Sequence, residues 1–332
     1  KKFGAKKGAW AVVTGATDGI GKEFALQLAK AGFNVVLVAR NVALLTSTAD
    51  EIGERPLSVR KTVNNTRTEQ KYNVQTRTHS IDFAKSGDAE YAALGKSFEG
   101  LDVGVLVNNV GKSHNMPAYL VDTPKDEIED ILTINVNATV KVTYAILPGM
   151  VARLVAFSTC ETVVLSAEQE GGLILNVGSF AGHVASPMLA VYSGTKAFLS
   201  KFSDALGAEV RKDGIIVEHI NTYFVVSEIE IFEIWVLNCC QVSKLSKIRK
   251  SSAMIPKPGP YVRSVLAKVG LQCGAAFSGR PNTSTPYWSH ALLDYVMTFI
   301  GLPSLFIAYT LNLHKDIRRR ALRKAEREAK AQ

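Results

Sequence analysis

The residues best suited to chemistry are a serine, a tyrosine and a lysine within the stretch NVGSFAGHVASPMLAVYSGTK. Tyr192 and Lys196 are four residues apart, and Ser179 lies thirteen residues before Tyr192. Four residues make one helical turn, so the ammonium can lie near the phenol and lower its pKa. Ser179 follows an apolar run, residues 173–177, that predicts a buried strand. The three groups can converge on one carbonyl oxygen and protonate it.

A glycine-rich turn near the start of the chain predicts a phosphate site. Residues 10–14 read as a short strand and residues 22–31 as an amphipathic helix, with the turn GATDGIG between them. Glycines let the backbone approach a pyrophosphate, and the helix N-terminus supplies N–H donors. The spacing is G-x-x-x-G-x-G rather than G-x-G-x-x-G, so a purely structural turn is an equal alternative for this motif alone.

The end of the second apolar run indicates which dinucleotide would bind. Arg40 follows residues 35–38, where an acidic residue would bind the ribose 2′-hydroxyl of NADH. A guanidinium suits a 2′-phosphate instead, with Lys22 or Arg60 in a position to assist. The sequence therefore predicts NADPH, and the alternative is an ordinary surface arginine.

Apolar runs alternate with helical patterns along most of the chain, which predicts an α/β fold with a doubly wound parallel sheet, Rossmann-like. Strands are expected near 10–14, 35–39, 77–82, 103–107, 173–178 and 215–220. Helices are expected near 20–31, 41–53, 88–98, 124–150 and 190–212. We predict a dinucleotide-binding core at 1–220, a substrate lobe at 221–290 and a hydrophobic, basic helical tail at 291–332.

Together these motifs resemble the short-chain dehydrogenase/reductase family. The turn Asn108-Asn109-Val110-Gly111 is similar to the family's N-N-A-G, Asp82 matches the acidic residue that contacts adenine, and Asn135 matches the asparagine of a catalytic tetrad. The catalytic residues implied are Ser179, Tyr192, Lys196 and Asn135, with Asn135 securing a water that relays protons to Lys196. The expected cofactor contacts are Gly15, Thr17, Asp18, Gly19, Ile20, Gly21, Arg40, Asp82, Asn109, Gly111, Tyr192, Lys196 and Val225.

A closer resemblance is to the branch of fungal reductases that act in microsomal fatty acid elongation. It is carried by Arg40-Asn41, by residues 81–83 and 243–252, and by the segment 220–226 in place of a Pro-Gly turn. It implies NADPH-dependent reduction of very-long-chain 3-oxoacyl-CoA to 3-hydroxyacyl-CoA. It also implies an endoplasmic reticulum membrane location with the catalytic domain facing the cytosol, beside other elongation enzymes. Two alternatives stay open: a 17β-hydroxysteroid or other ketone reductase, and a catalytically idle membrane scaffold.

Composition limits the partners. The 332 residues are 47% hydrophobic and 21% charged, and the formal net charge of +9 is concentrated at 315–330 and 244–250. No recognition motif for nucleic acid accompanies these clusters. An anionic membrane face or the phosphates of an acyl-CoA are the expected partners, and a solvated basic helix is the alternative. The four cysteines, Cys160, Cys239, Cys240 and Cys273, have neither the spacing of a zinc site nor that of a disulfide framework.

The apolar segment 291–313 is long enough to cross a bilayer core of about 30 Å as a helix. Asp294, Gly301 and Pro303 weaken that assignment. We expect membrane contact of some kind, either spanning or lying in the interface, and the alternative is a helix pair lining a substrate tunnel.

Three stretches depart from the family pattern, at 55–68, 154–170 and 228–241. They are either loop insertions or translated intron remnants. Spliced transcripts that retain all three would exclude the intron hypothesis.

Overall fold

The computed structural model describes residues 2–53, 72–158, 171–225, 251–276, 278–300 and 303–330. Within these residues the strands are β1 (Trp10–Thr14), β2 (Asn34–Ala39), β3 (Thr76–Ser80), β4 (Val103–Asn108), β5 (Gly172–Val177), β6 (Ile215–Ile220) and β7 (Thr283–Ser284). They form one parallel sheet in the order β3-β2-β1-β4-β5-β6-β7. The predicted α/β fold with a doubly wound parallel sheet is confirmed. The inserted stretch 55–68 and most of the other two lie outside the described residues.

Helices cover both faces of the sheet. They are α1 (Gly19–Ala31), α2 (Val42–Ile52), α3 (Asp88–Lys96), α4 (Lys125–Leu132), α5 (Ala138–Ser158), α6 (Phe180–His183), α7 (Ala190–Glu209), α8 (Pro258–Ala267), α9 (Trp288–Ile300) and α10 (Pro303–Lys330). Side chains cap the first two of these helices: Asp18 accepts from Gly19 N at 2.7 Å before α1, and Asn41 accepts from Leu44 N at 3.0 Å before α2. Such caps satisfy N–H groups that lack a partner inside the helix.

Alternate residues of the central strands pack into two separate cores. Val13, Leu37 and Val105 face α1, α2 and α8, whereas Val12, Val36 and Leu106 face α3, α5 and α7. Nearly every residue of β1, β2, β4 and β5 is buried. This double burial explains why the strands read as continuous apolar runs rather than as alternating patterns.

Two elements differ from the expected boundaries. The helix expected at 124–150 is divided into α4 and α5 by a π-helical turn, Thr133–Asn137. Strand β7 lies inside the predicted substrate lobe, and its Thr283 pairs with His219 of β6. The two residues of β7, Thr283 and Ser284, are polar and show no strand pattern in the sequence. They form a strand because they pair with strand β6.

The apolar segment 291–313 contains parts of two helices. Helix α9 ends at Ile300, α10 begins at Pro303, and Asp294 is fully buried. The Asp294 carboxylate accepts from Arg280 at 2.8 Å and from Thr285 Oγ1 at 2.5 Å. Among the helices that the structure describes, none combines the length and the apolar character that a membrane crossing requires.

Buried Glu218 of β6 gives the fold a pH-dependent stability. Burial raises the pKa of this carboxyl to about 7 from its ordinary value near 4.5. The folded protein therefore keeps a proton that the unfolded chain has already released. As the pH rises from about 4.5 to about 7, the free energy of unfolding is expected to fall by up to about 3 kcal/mol.

The variant Glu218→Gln should lose this pH dependence, because the amide stays neutral and its oxygen can still accept from Gly270 N, as the Glu218 carboxyl does at 3.3 Å. Urea unfolding of both proteins at pH 5 and pH 8 measures the effect. The same slope with pH in both would contradict the assignment to Glu218.

Candidate active site

The strand ends of β1 and β4 meet at the point where the order of the sheet reverses. Asn109, directly after β4, donates from Nδ2 to the carbonyl oxygens of Thr14 at 3.0 Å and Gly15 at 3.3 Å. In return, Thr14 Oγ1 accepts from the backbone N–H groups of Asn109 at 3.0 Å and Val110 at 3.1 Å. A crevice beyond the carboxyl ends of strands at such a switch point is the usual ligand site of this architecture.

The glycine turn forms one wall of this crevice. Gly15 and Gly19 have φ angles of 65° and 51°, in the left-handed region that favours glycine. A Cβ at Gly21 would overlap the Gly15 carbonyl oxygen and the Asn109 side chain. Only glycine allows the first turn of α1 to approach so closely, and partly buried Thr17 and Ile20 complete the turn. The cradle fits a pyrophosphate held at the helix N-terminus.

The residues expected at the adenine end lie on neighbouring strand ends. Arg40 is exposed directly after β2, and its carbonyl oxygen accepts from Ser80 Oγ at 3.1 Å. Asp82 follows β3 by two residues and accepts from Ala84 N at 3.2 Å. Val225 is buried beyond β6, in the core that also contains Ile220. The predicted cofactor residues therefore follow the carboxyl edge of the sheet from β3 to β6.

Ser179, Tyr192 and Lys196 are brought together at the same edge. Ser179 caps α6, where its Oγ accepts from Ala181 N at 3.2 Å, and its side chain is hydrogen-bonded to Tyr192. Tyr192 and Lys196 are one turn apart on α7 and are 8% and 4% exposed. The Lys196 ammonium lies 5.8 Å from the centre of the Tyr192 ring and donates to Val177 O at 2.9 Å.

Burial dominates the electrostatics of this group. It raises the pKa of the Tyr192 phenol, and the Ser179 hydrogen bond offsets part of that effect. Burial also lowers the pKa of Lys196 to about 8. The direction for Tyr192 is opposite to the expected lowering by Lys196, because an enclosed phenolate loses its hydration. At neutral pH the phenol therefore keeps its proton.

Asn135 lies in the π-helical turn and fastens the loop after β4 to α7. Its Nδ2 donates to Lys112 O and to Thr195 Oγ1, each at 2.9 Å, and its Oδ1 accepts from Lys112 N at 2.7 Å. Gly111 lies between Asn135 and Lys196, and a Cβ there would come within 3.6 Å of Lys196 Nζ. The Asn135 side chain is thus hydrogen-bonded to protein partners, and the predicted water relay to Lys196 stays a prediction.

The sequence motifs do not indicate how Asn108 and its buried neighbours support the site. Asn108 Nδ2 donates to Thr143 Oγ1 and to Asn176 Oδ1, each at 2.9 Å, and Asn176 Nδ2 donates to Ser203 Oγ at 2.9 Å. This buried chain joins β4 and β5 to α5 and α7. Asparagine within the apolar runs of two strands was the signal, since buried amides need partners. The role of Thr14 is visible only once β1 and β4 are adjacent.

The variant Gly21→Ala tests the cradle. Its methyl group should displace the first turn of α1 and weaken NADPH binding about tenfold or more, which corresponds to at least about 1.4 kcal/mol. Gly149→Ala in α5 is the matched control, because a Cβ there meets nothing within 4 Å. Fluorescence titration measures binding, and thermal unfolding verifies that both variants fold. Unchanged affinity in Gly21→Ala would show that the turn does not hold the dinucleotide.

Comparison with curated proteins gives close relatives across the chain. A protein of Coprinopsis cinerea named very-long-chain 3-oxoacyl-CoA reductase is 68% identical over 332 residues, covering 100% of this chain and 84% of that protein. A protein of Laccaria bicolor with the same name is 64% identical over the same length, with the same coverage. One of Mycosarcoma maydis, again with this name, is 46% identical over 335 residues, covering 99% of this chain and 82% of that protein.

Solved structures share the fold at lower identity. A 7β-hydroxysteroid dehydrogenase aligns with a TM-score of 0.67 at 21% identity, covering 91% of this chain and 96% of that one. A short-chain dehydrogenase from Sphingobium yanoikuyae in complex with NADPH aligns at 0.58 and 22% identity, covering 84% and 87%. A 3-ketoacyl-(acyl-carrier-protein) reductase from Brucella melitensis, complexed with NADH, aligns at 0.53 and 26% identity, covering 67% and 78%.

Residues 9–232 match the short chain dehydrogenase family. This match contains the glycine turn, the Asn109 turn and the group formed by Ser179, Tyr192 and Lys196. The resemblance seen in the sequence is confirmed, and the chain is an oxidoreductase by its family. The chain belongs to the short-chain dehydrogenase family.

Proposed function

We propose that this enzyme reduces very-long-chain 3-oxoacyl-CoA to 3-hydroxyacyl-CoA with NADPH, as a step of fatty acid elongation. The observation that carries the proposal is the enclosed group of Ser179, Tyr192 and Lys196, which lies at the same sheet edge as the glycine cradle. Relatives that align with the entire chain at 64% and 68% identity bear the name of this activity.

Held against the cradle of Gly15, Gly19 and Gly21, a reduced nicotinamide dinucleotide would supply a hydride for the carbonyl carbon of the substrate. Tyr192 donates the proton that the carbonyl oxygen requires, since burial keeps the phenol protonated. Ser179 Oγ accepts from Ala181 N, and its hydroxyl hydrogen would turn from Tyr192 to the same carbonyl oxygen when the substrate binds. Two donors directed at one oxygen stabilise the negative charge that develops there.

Lys196 stabilises the phenolate that remains after Tyr192 has given up its proton. Its ammonium lies 5.8 Å from the centre of the phenol ring, and its pKa of about 8 keeps it mostly charged at neutral pH. A cation at this distance favours the ionised phenol. Asn135 keeps Gly111 beside Lys196. Lys196 would return a proton to the phenolate, and a water secured near Asn135 would then reprotonate Lys196.

Arg40 supports NADPH as the cofactor. Its side chain is exposed at the end of β2, the position at which a ribose 2′ substituent is recognised in this architecture. A guanidinium matches a 2′-phosphate in charge and shape. Solved structures with this fold hold either NADPH or NADH, so the family alone does not select between them.

We propose further that the enzyme works at the endoplasmic reticulum membrane with its catalytic domain facing the cytosol, beside other elongation enzymes. The name shared by the relatives supports this location, since their substrates carry very long acyl chains. Residues 221–290 would form the substrate lobe, and residues 291–332 would contact the membrane.

The variant Tyr192→Phe tests the proposed chemistry. It should reduce NADPH oxidation with 3-oxoacyl-CoA by about 10²–10⁴-fold, because the general acid is removed. NADPH affinity should change by no more than a few-fold. Tyr144→Phe is the matched control, since Tyr144 is 79% exposed on α5. An active Tyr192→Phe would refute the acid role.

The same assay tests the substrate class. We expect turnover with very-long-chain 3-oxoacyl-CoA and little with a 17-keto steroid. Preference for the steroid would favour the alternative ketone reductase, and absence of NADPH binding would favour the idle scaffold.

The variant Arg40→Ala tests the cofactor. It should weaken NADPH binding about 10- to 100-fold, as expected for the loss of a charge-assisted hydrogen bond, and leave NADH binding nearly unchanged. Arg211→Ala is the matched control, because Arg211 is exposed before β6, at the opposite edge of the sheet. Equal losses for NADPH and NADH would contradict recognition of the 2′-phosphate.

A further inference from the structure

Helix α9 exposes large apolar side chains to solvent, which an ordinary surface helix would bury. Its exposed side chains are Trp288, Leu292, Tyr295 and Phe299, with exposed fractions of 58%, 59%, 52% and 56%. Their spacing of four, three and four residues places them on one face. Surface helices normally direct the apolar face inward and the polar face toward water. We call these four residues the outer face of α9.

Among the described side chains of α9, the buried ones are polar and are bonded to the protein. Ser289 Oγ donates to Ala253 O at 2.7 Å, and His290 Nε2 donates to Met254 O at 3.0 Å. Asp294 is fully buried and forms an ion pair with Arg280 at 2.8 Å. Turning the helix to bury its apolar face would expose or break all three interactions. The outer face is therefore fixed outward.

The next helix begins with exposed apolar residues and then becomes basic. Leu305 and Tyr309, one turn apart on α10, are each 62% exposed. They are followed by exposed cations that include Lys315, Arg320 and Arg323. Apolar and aromatic side chains next to cations match the interfacial region of a bilayer, where acyl chains lie below charged headgroups.

Building on the membrane contact proposed above, we propose that the outer face of α9, together with Leu305 and Tyr309, docks into the interfacial region of an anionic lipid bilayer. No helix in the described part of the chain could span a membrane. Docking in the plane of the interface does not require one. The basic segment of α10 would contact acidic headgroups. A second copy of this chain is a poorer occupant, because it brings the same net charge of +9 to the contact.

Vesicle flotation of the 332-residue protein tests the proposal. The probes are vesicles of phosphatidylcholine alone and of phosphatidylcholine mixed with phosphatidylserine. The wild type should float with both and more strongly with the mixture. The double variant Leu292→Ser/Phe299→Ser should bind about tenfold or more weakly, since it removes two large apolar groups from the contact. Tyr144→Ser, an exposed aromatic on α5, should bind as the wild type does.

A second pair of variants tests the charge. Lys315→Gln/Arg323→Gln should reduce the preference for phosphatidylserine and its sensitivity to salt, while binding to phosphatidylcholine alone persists. Thermal unfolding and NADPH titration verify that every variant is folded. Since flotation does not depend on turnover, its result is independent of the proposed reductase activity.

Three results would overturn the proposal. The first is a wild type that does not float. The second is a Leu292→Ser/Phe299→Ser protein that floats like the wild type. The third is a wild-type dimer in light scattering that the same double variant converts to a monomer, with no vesicle binding by either. That last result would assign the outer face to a second copy.

Discussion

The hydrogen bonds between the ends of β1 and β4 are the constraint on which the rest of the site depends. Thr14 and Asn109 exchange bonds across the switch point, and Gly21 of α1 packs against both Asn109 and Gly15. Gly111, two residues after Asn109, lies against Asn135 and Lys196. One continuous set of contacts therefore joins the turn that would hold the dinucleotide to the lysine of α7. A shift of either strand end would move both parts of the site.

Burial sets the chemistry of the site more than any single charge does. Burial keeps the Tyr192 phenol protonated and lowers the pKa of Lys196. Nearby His219 is also buried, and burial together with the charge of Lys196 lowers its pKa to about 3. His219 is therefore neutral near pH 7 and adds no positive charge to the site. A protonated phenol beside a cation is the state that a reduction needs, because the proton must go to the substrate.

The C-terminal region is attached to the core through polar contacts. Asp294 of α9 accepts from Asn221, directly after β6, at 3.2 Å, and β7 extends the sheet from the same region. Helix α10 is bonded to the two loops that flank the site: His314 Nδ1 donates to Pro187 O at 2.7 Å and Arg318 to Pro117 O at 3.1 Å. These contacts use the polar groups of α9 and α10 on the inside, which leaves their apolar groups outside.

Local patterns in the sequence were enough to predict the six longer strands, the glycine turn and the spacing of Tyr192 and Lys196, because double burial and one helical turn leave such patterns. Asn109 and Asn135 were identified through family motifs, and Ser179 through the apolar run before it. The folded structure was needed to reveal the partners of Thr14 and Asn176, the π-helical turn, strand β7 and the inward direction of Asp294. It also reversed the expected direction of the Tyr192 pKa. Each of these depends on which distant residues surround a group, and burial and hydrogen-bond partners are not encoded in local spacing.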